Sequence, residues 1–201
     1  MREARTDSVD ERSQRRICLF GGTFDPVHLG HVAAAGLAVR ELSLDQVRFL
    51  ACRISPHKLA STSAPAEQRV AMLELALQNI DWAEVDRFDL EQPEPSYSWR
   101  TAVAMRERFP DARLFWLVGG DQWDDLPAWK NPELLAEMLE FIVVRRDSEP
   151  VGRPGWTSHP LPAVHAASAT SIRDSAAGGL RSDWLHPGVA AYIRSHHLYG
   201  A

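Results

Sequence analysis

The chain has 201 residues, 45% of them hydrophobic and 24% charged, with a formal net charge of −5. That length suits one domain, or one domain with an appendage, and the balance of residue types excludes a disordered, collagen-like or coiled-coil chain. Net negative charge gives no general attraction for nucleic acid or an anionic membrane, so any phosphate binding has to be local.

The opening stretch, MREARTDSVDERSQRR, interleaves its arginines with Glu3, Asp7, Asp10 and Glu11. Residues 1–16 therefore read as a solvated, flexible tail rather than a basic arm for nucleic acid. The stretch lacks the apolar core of a secretory signal, and no later run is long enough to span a bilayer, so the expectation is a cytoplasmic protein without membrane contact.

In chain order, a strand over 17–20 leads into a helix over 28–42, and a strand over 46–51 into a helix over 65–79. A strand over 84–88 precedes a helix over 98–109, and a strand over 113–118 precedes a helix over 132–140. Asn131 before Pro132 is a good helix start, a capping side chain ahead of a residue whose missing N–H costs nothing there. Strands over 141–145 and 163–166 follow, then a last helix from about Pro187 to His196 and His197, where positive charge suits the helix dipole. The Pro- and Gly-rich residues 148–162 read as a surface loop. Cys18 and Cys52 lack metal-type spacing and lie in strand-like runs, so they are expected as reduced core thiols. Short β-rich runs alternating with helical segments predict βαβ units. The expected fold is α/β, Rossmann-like and doubly wound, a mainly parallel sheet with flanking helices in a single domain.

In such sheets ligands bind outside the carboxyl ends of the strands. Directly after the first strand comes Gly21-Gly22-Thr23-Phe24-Asp25-Pro26-Val27-His28-Leu29-Gly30-His31, running into an Ala-rich helix. Glycines allow close approach to a ligand, and a helix start offers free N–H groups to an anion, which makes a phosphate cradle. It is neither a Walker loop nor the dinucleotide Gly-x-Gly-x-x-Gly. His28 and His31, three apart at a helix start, can project from one face, with Gly30 leaving space between them for a ligand. Such a pair suits hydrogen bonds to phosphate oxygens, but equally a metal site or two helix caps.

This string resembles the adenylyltransferase branch of the nucleotidyltransferase superfamily, whose signature is His-x-Gly-His, and GGTFDPVHLGH is similar to the nicotinate mononucleotide adenylyltransferases in particular. The resemblance implies that His28 and His31 bind the triphosphate of ATP, together with Gly21, Gly22, Thr23 and Phe24. Ser168-Ala169-Thr170-Ser171-Ile172-Arg173 is similar to the family's Ser-x-Thr-x-Ile-Arg element, which implies ATP contacts by Ser168, Thr170, Ile172 and Arg173. A plain Ser/Thr helix cap is the alternative there. Ser55-Pro56-His57-Lys58 resembles a Pro-His-Lys stretch on the active-site rim, so Lys58 is a candidate acceptor contact or a merely solvated lysine. The neighbouring Ala51-Cys52-Arg53-Ile54 departs from the family's more proline-rich form.

Pro95-Ser96-Tyr97-Ser98-Trp99-Arg100-Thr101 resembles an element facing the pyridine nucleotide, with Ser98 in place of threonine and Thr101 keeping its place. Val118-Gly119-Gly120-Asp121-Gln122-Trp123 and Leu126-Pro127-Ala128-Trp129 imply nucleotide contacts by Gly119 and Asp121 and stacking of Trp129 on the pyridine ring; Lys130 replaces an aromatic. The resemblance spans residues 17 to 199, so 17–201 is expected to be the nucleotidyltransferase domain. It implies transfer of AMP from ATP to nicotinate mononucleotide in NAD biosynthesis, with pyrophosphate leaving and its charge held by His28, His31, Arg173 and Mg²⁺. No protein ligand to a metal is named. The alternatives are an adenylyltransferase for nicotinamide mononucleotide or phosphopantetheine, or a non-catalytic nucleotide sensor. Oligomeric state stays open, a homo-oligomer included.

Overall fold

The structure, a computed structural model, describes residues 14–53, 64–145 and 151–201. In chain order it runs β1 (Arg16–Gly22), α1 (Leu29–Leu42), β2 (Gln46–Ala51), α2 (Ala66–Leu77), β3 (Ala83–Asp86), α3 (Phe88–Glu91), α4 (Ser98–Arg108), β4 (Arg113–Gly119) and α5 (Gly120–Asp125). It continues through α6 (Pro132–Met138), β5 (Glu140–Arg145), β6 (Ser158–Pro162), α7 (Ala169–Ser175) and α8 (Pro187–Ser195), with short 3₁₀ turns between.

The six strands form one sheet in the order β3-β2-β1-β4-β5-β6, every neighbouring pair parallel. This is the doubly wound α/β fold expected from the alternation of elements. Side chains of a strand point alternately to its two faces, and β1 shows the result. Cys18 and Phe20 join the core under α1, α2 and α8, while Ile17 and Leu19 join the core under α4, α5 and α6. A sheet covered on both faces needs near-continuous apolar strands, and β4 supplies one, buried from Leu114 to Val118. Both cysteines are free and buried, and burial raises both thiols above the ordinary value.

Several boundaries differ from the sequence expectations. The chain is anchored before residue 17: the Arg16 N–H donates to Asp45 Oδ2 at 2.7 Å, and the Arg15 carbonyl accepts from the Arg113 N–H at 2.8 Å. Arg15 and Arg16, expected as part of the tail, are thus bonded to the folded sheet. β3 stops at Asp86, whose Oδ1 accepts from the Phe88 N–H at 2.9 Å and turns the chain into α3. The final strand lies at Ser158–Pro162, inside the stretch expected as a loop, and not at 163–166. It contains Pro160 and Pro162, which a central strand would exclude, but β6 is the sheet's edge, where a missing N–H costs no ladder bond. Asn131 precedes α6 with φ 55° and makes no side-chain cap, while Pro132 keeps the first helical position and Glu133 adds an acid to the first turn.

Candidate active site

β1 and β4 are neighbours at the middle of the sheet, and β1 runs on to α1 on one side while β4 runs on to α5 on the other. Crevices open at such a switch point. Two cavities meet there, of about 510 and 730 Å³, both bordered by Phe20, His28, His31, Asp121 and Ala167. The smaller is walled by Gly119, Gly120, Arg145 and His165. The larger extends past Thr23, Cys52, Asp89, Ser96, Ser98 and Trp129. The histidines thus stand where the two halves of the cleft join.

Their rings are stacked, with centroids 3.7 Å apart and planes 19° from parallel. The His28 N–H donates to His31 Nδ1 at 3.2 Å, so the proton of a neutral His31 ring belongs on Nε2. Phe24 and Phe20 meet the His31 ring edge-on, at 5.1 and 5.8 Å between centroids. The ring is held in place from beneath, as a donor aimed at an anion has to be. Gly30 serves this stack: a Cβ there would lie 3.0 Å from the His28 ring. The space it leaves is filled by His28, not kept open for a ligand. At Gly21 the close neighbour is the Trp116 ring, 2.9 Å from where a Cβ would sit.

Arg173 of α7 borders the larger cavity as well. Its Nη1 donates to the Asp25 carbonyl at 2.7 Å and its Nη2 to Thr170 Oγ1 at 3.4 Å. Asp25 in turn receives the Tyr199 hydroxyl on Oδ1 at 2.7 Å. Ser168 caps α7, its Oγ accepting from the Ser171 N–H at 3.5 Å. On the far side of the larger cavity, Asp89 is buried and accepts from the Thr101 hydroxyl at 2.6 Å. Burial pushes the Asp89 carboxyl up to about 6, against the hydrogen bond from Thr101, with the nearby Asp86 charge adding to the rise.

A family profile described as cytidylyltransferase-like matches residues 19–175. A probable nicotinate-nucleotide adenylyltransferase of Methylacidiphilum infernorum is 36% identical over 195 residues, covering 95% of each chain. A protein of the same description from Thermus thermophilus is 38% identical over 186 residues, covering 92% of this chain and 99% of the other. The chain belongs to the cytidylyltransferase-like family, in its nicotinate-nucleotide adenylyltransferase branch. It is a nucleotidyltransferase. Among solved structures, a Plasmodium falciparum nicotinic acid mononucleotide adenylyltransferase complexed with NaAD superimposes with a TM-score of 0.76 at 18% identity, over 92% of this chain and 98% of that one.

Of the residues proposed from the family motifs, Gly21, Gly22, Thr23, Phe24, His28, His31, Asp121, Ser168, Thr170, Arg173 and Trp129 all border the larger cavity, and Gly119 borders the smaller. Two do not fit as proposed. The Ile172 side chain is fully buried in the core, so nothing but its backbone can face a nucleotide. Thr101 is 1% exposed and its hydroxyl is committed to Asp89, one helical turn below the cleft wall made by Ser98. Lys58 lies outside the described residues. The sequence reading gave no site role to Asp89, Arg145, His165, Asp25 or Tyr199, although Asp25 stands in the first motif and Arg145 and Tyr199 in stretches similar to the family. Arg145 at least carried a signal, since it ends β5 on the side where ligands bind. Among the described residues no three His, Cys, Asp or Glu side chains are grouped to hold a metal ion, and no helix is long and apolar enough to cross a membrane.

Proposed function

We propose that this cleft transfers AMP from ATP to nicotinate mononucleotide, giving nicotinate adenine dinucleotide and pyrophosphate. The observation that carries the reading is the stacked His28 and His31 pair at the junction of two cavities, the arrangement that a reaction joining two nucleotides across one phosphorus requires. The adenosine lies in the smaller cavity beside Gly119, Gly120 and Arg145. The acceptor lies in the larger one near Ser96, Ser98 and Trp129. A phosphate oxygen of the acceptor attacks the α-phosphorus, the bond from that phosphorus to the β-bridging oxygen breaks, and pyrophosphate leaves with the electron pair.

The chain's own part is to position and to stabilise charge, which is most of what catalysis of such transfers needs. His28, His31 and Arg173 supply donors to the departing pyrophosphate. Mg²⁺, when bound with ATP, neutralises phosphate charge. Asp121 and Asp125 border the cleft, but with no cluster of three acidic or imidazole ligands among the described residues the ion fits as one held by phosphate oxygens and water. The nucleotide substrates suit a cytoplasmic enzyme, with residues 17–201 as its nucleotidyltransferase domain and Lys58 as a further acceptor contact.

Pyrophosphate release measured with ATP and, in turn, nicotinate mononucleotide, nicotinamide mononucleotide and phosphopantetheine tests the reading. Release that is fastest with the nicotinate nucleotide supports it. Release with phosphopantetheine alone, or ATP binding without turnover on any acceptor, refutes it.

A further inference from the structure

Arg69 of α2 is fully buried, and its charge has no part in the steps above. Its guanidinium donates to three carbonyls on three separate stretches of chain: Nη1 to Thr23 at 2.6 Å, Nη2 to Arg53 at 3.1 Å and Nε to Ala64 at 3.1 Å. Thr23 belongs to the loop that leaves β1 and leads to His28. Arg53 follows β2, and its backbone N–H donates to Ser96 Oγ at 3.2 Å while its Nε donates to the Leu90 carbonyl at 3.1 Å. Ser96 borders the larger cavity beside Asp89 and Ser98. One side chain therefore ties the triphosphate loop to the wall on which the acceptor rests.

Stability alone is a poor reason for this arrangement. Removing a cation from water is costly, and neutral carbonyls return less than a carboxylate would, so an apolar side chain of similar volume would be cheaper to bury. What an apolar residue cannot do is fix three backbone segments in one geometry. The planar fork with its five donors is suited to that, and a lysine, with one nitrogen, is not. The charge is also felt at the cleft: Cys52, raised by burial, and Tyr199, raised by burial and by Asp25, are both pulled back by Arg69.

We infer that Arg69 is a positioning residue for adenylyl transfer, which holds the Thr23 backbone in register with the Arg53–Ser96 side of the cleft so that the acceptor oxygen lines up with the α-phosphorus. The inference rests on the adenylyl-transfer reading. In-line attack tolerates little misplacement, about 1 Å costing on the order of 10² in rate. Loss of register should therefore appear in turnover while each substrate, bound separately, notices little.

The test uses the full chain with Arg69→Lys and Arg69→Ala. Three quantities are read at a temperature well below each melting transition: kcat, the Kd of α,β-methylene ATP and the Kd of the acceptor. Expected for Arg69→Lys is a cooperative melt, a kcat lower by about tenfold or more, and both Kd values within about threefold of the parent protein. For Arg69→Ala, millimolar methylguanidinium should recover part of kcat where methylammonium at equal ionic strength does not. Unchanged kcat in Arg69→Lys overturns the inference. So does a parallel loss of binding and turnover, the sign of general loosening, and so does the absence of a cooperative melt in both variants. Should the parent protein turn over a different acceptor, the substrate assignment fails and the same comparison, run with that acceptor, still decides Arg69. A parent protein with no turnover on any acceptor overturns both.

Discussion

Tyr199 donates its hydroxyl to Asp25 Oδ1 at 2.7 Å, bonding the last turn of the chain to the loop that carries His28. The Asp25 carbonyl takes the Arg173 guanidinium at 2.7 Å, so the same aspartate joins both anion-facing elements. Burial, the bond to Asp25 and its charge all raise the Tyr199 phenol above the ordinary tyrosine value, which keeps it a donor at every pH of interest. Tyr199→Phe leaves a buried carboxylate oxygen without this donor, at a cost of about 1–3 kcal/mol. For a chain of this size that lowers the melting temperature by several degrees, and the KM for ATP should rise because the Asp25 carbonyl that takes Arg173 is then held less firmly. A phenylalanine variant with parental melting and parental KM for ATP would show that the bond does neither job.

His31→Ala tests the leaving-group role. The ring sits on Phe20 and Phe24 but is not part of the fully buried core, so the variant should fold. Turnover should fall by about 10² or more, the usual scale for losing one preorganised donor at a developing charge. Melting scans and initial rates on the purified variant suffice. Near-parental rates would remove His31 from the chemistry.

The sheet and the histidine pair were legible in the sequence because both depend on local order. Short, near-continuous apolar runs between helical segments mark the buried parallel strands, and His28 and His31 meet because three residues make nearly a helical turn. β6 was not legible, since Pro160 and Pro162 forbid a strand everywhere except at an edge, and which strand is the edge is a property of the whole sheet. Thr101 illustrates a second kind of miss. Its spacing from Tyr97 places it on the right helix, but only the position of Asp89, twelve residues earlier, decides that the hydroxyl turns inward. The Asp25 to Tyr199 bond crosses 174 positions, and no local pattern marks it.

Asp89 gives the protein a pH-dependent stability term of known sign. Its carboxyl is raised from 3.8 to about 6 in the folded state, chiefly by burial. Below the unfolded value both states carry the proton and nothing is lost. As pH rises through the window from 3.8 to about 6 the unfolded chain ionises first, so stability falls, and above that window the loss is complete. The shift corresponds to on the order of 3 kcal/mol. Asp89→Asn can keep the bond from Thr101 and has no charge to bury. The melting temperature of the parent protein relative to this variant should drop as pH is raised through the window, and a constant difference would mean that Asp89 is not the responsible group.

The same carboxyl bears on which mononucleotide is accepted. Ser98 and the start of α4 are placed to offer hydroxyl and N–H donors to the pyridine substituent of the proposed acceptor, while the Ser96 hydroxyl is turned to the Asp89 carbonyl at 3.4 Å. Donors converging on one point suit a carboxylate. A carboxamide turns its own N–H₂ toward them or leaves one donor unpaired, at about 1–3 kcal/mol. The acid should then be favoured by roughly tenfold to a hundredfold in kcat/KM. Asp89 acts against this preference when ionised, because a negative charge on the cavity wall repels an acid and not an amide. With its carboxyl at about 6, the ratio of kcat/KM for nicotinate over nicotinamide mononucleotide should rise as the pH is lowered from about 7.5 to about 5.5. The shared phosphate, whose second ionisation also falls near pH 6, affects both substrates alike and cancels from the ratio. In Asp89→Asn the ratio should be flat across that range. A ratio that is flat in the parent protein too would take Asp89 away from the acceptor. A ratio near one, or in favour of the amide, at every pH would overturn the acceptor itself while leaving the chemistry at His28 and His31 in place.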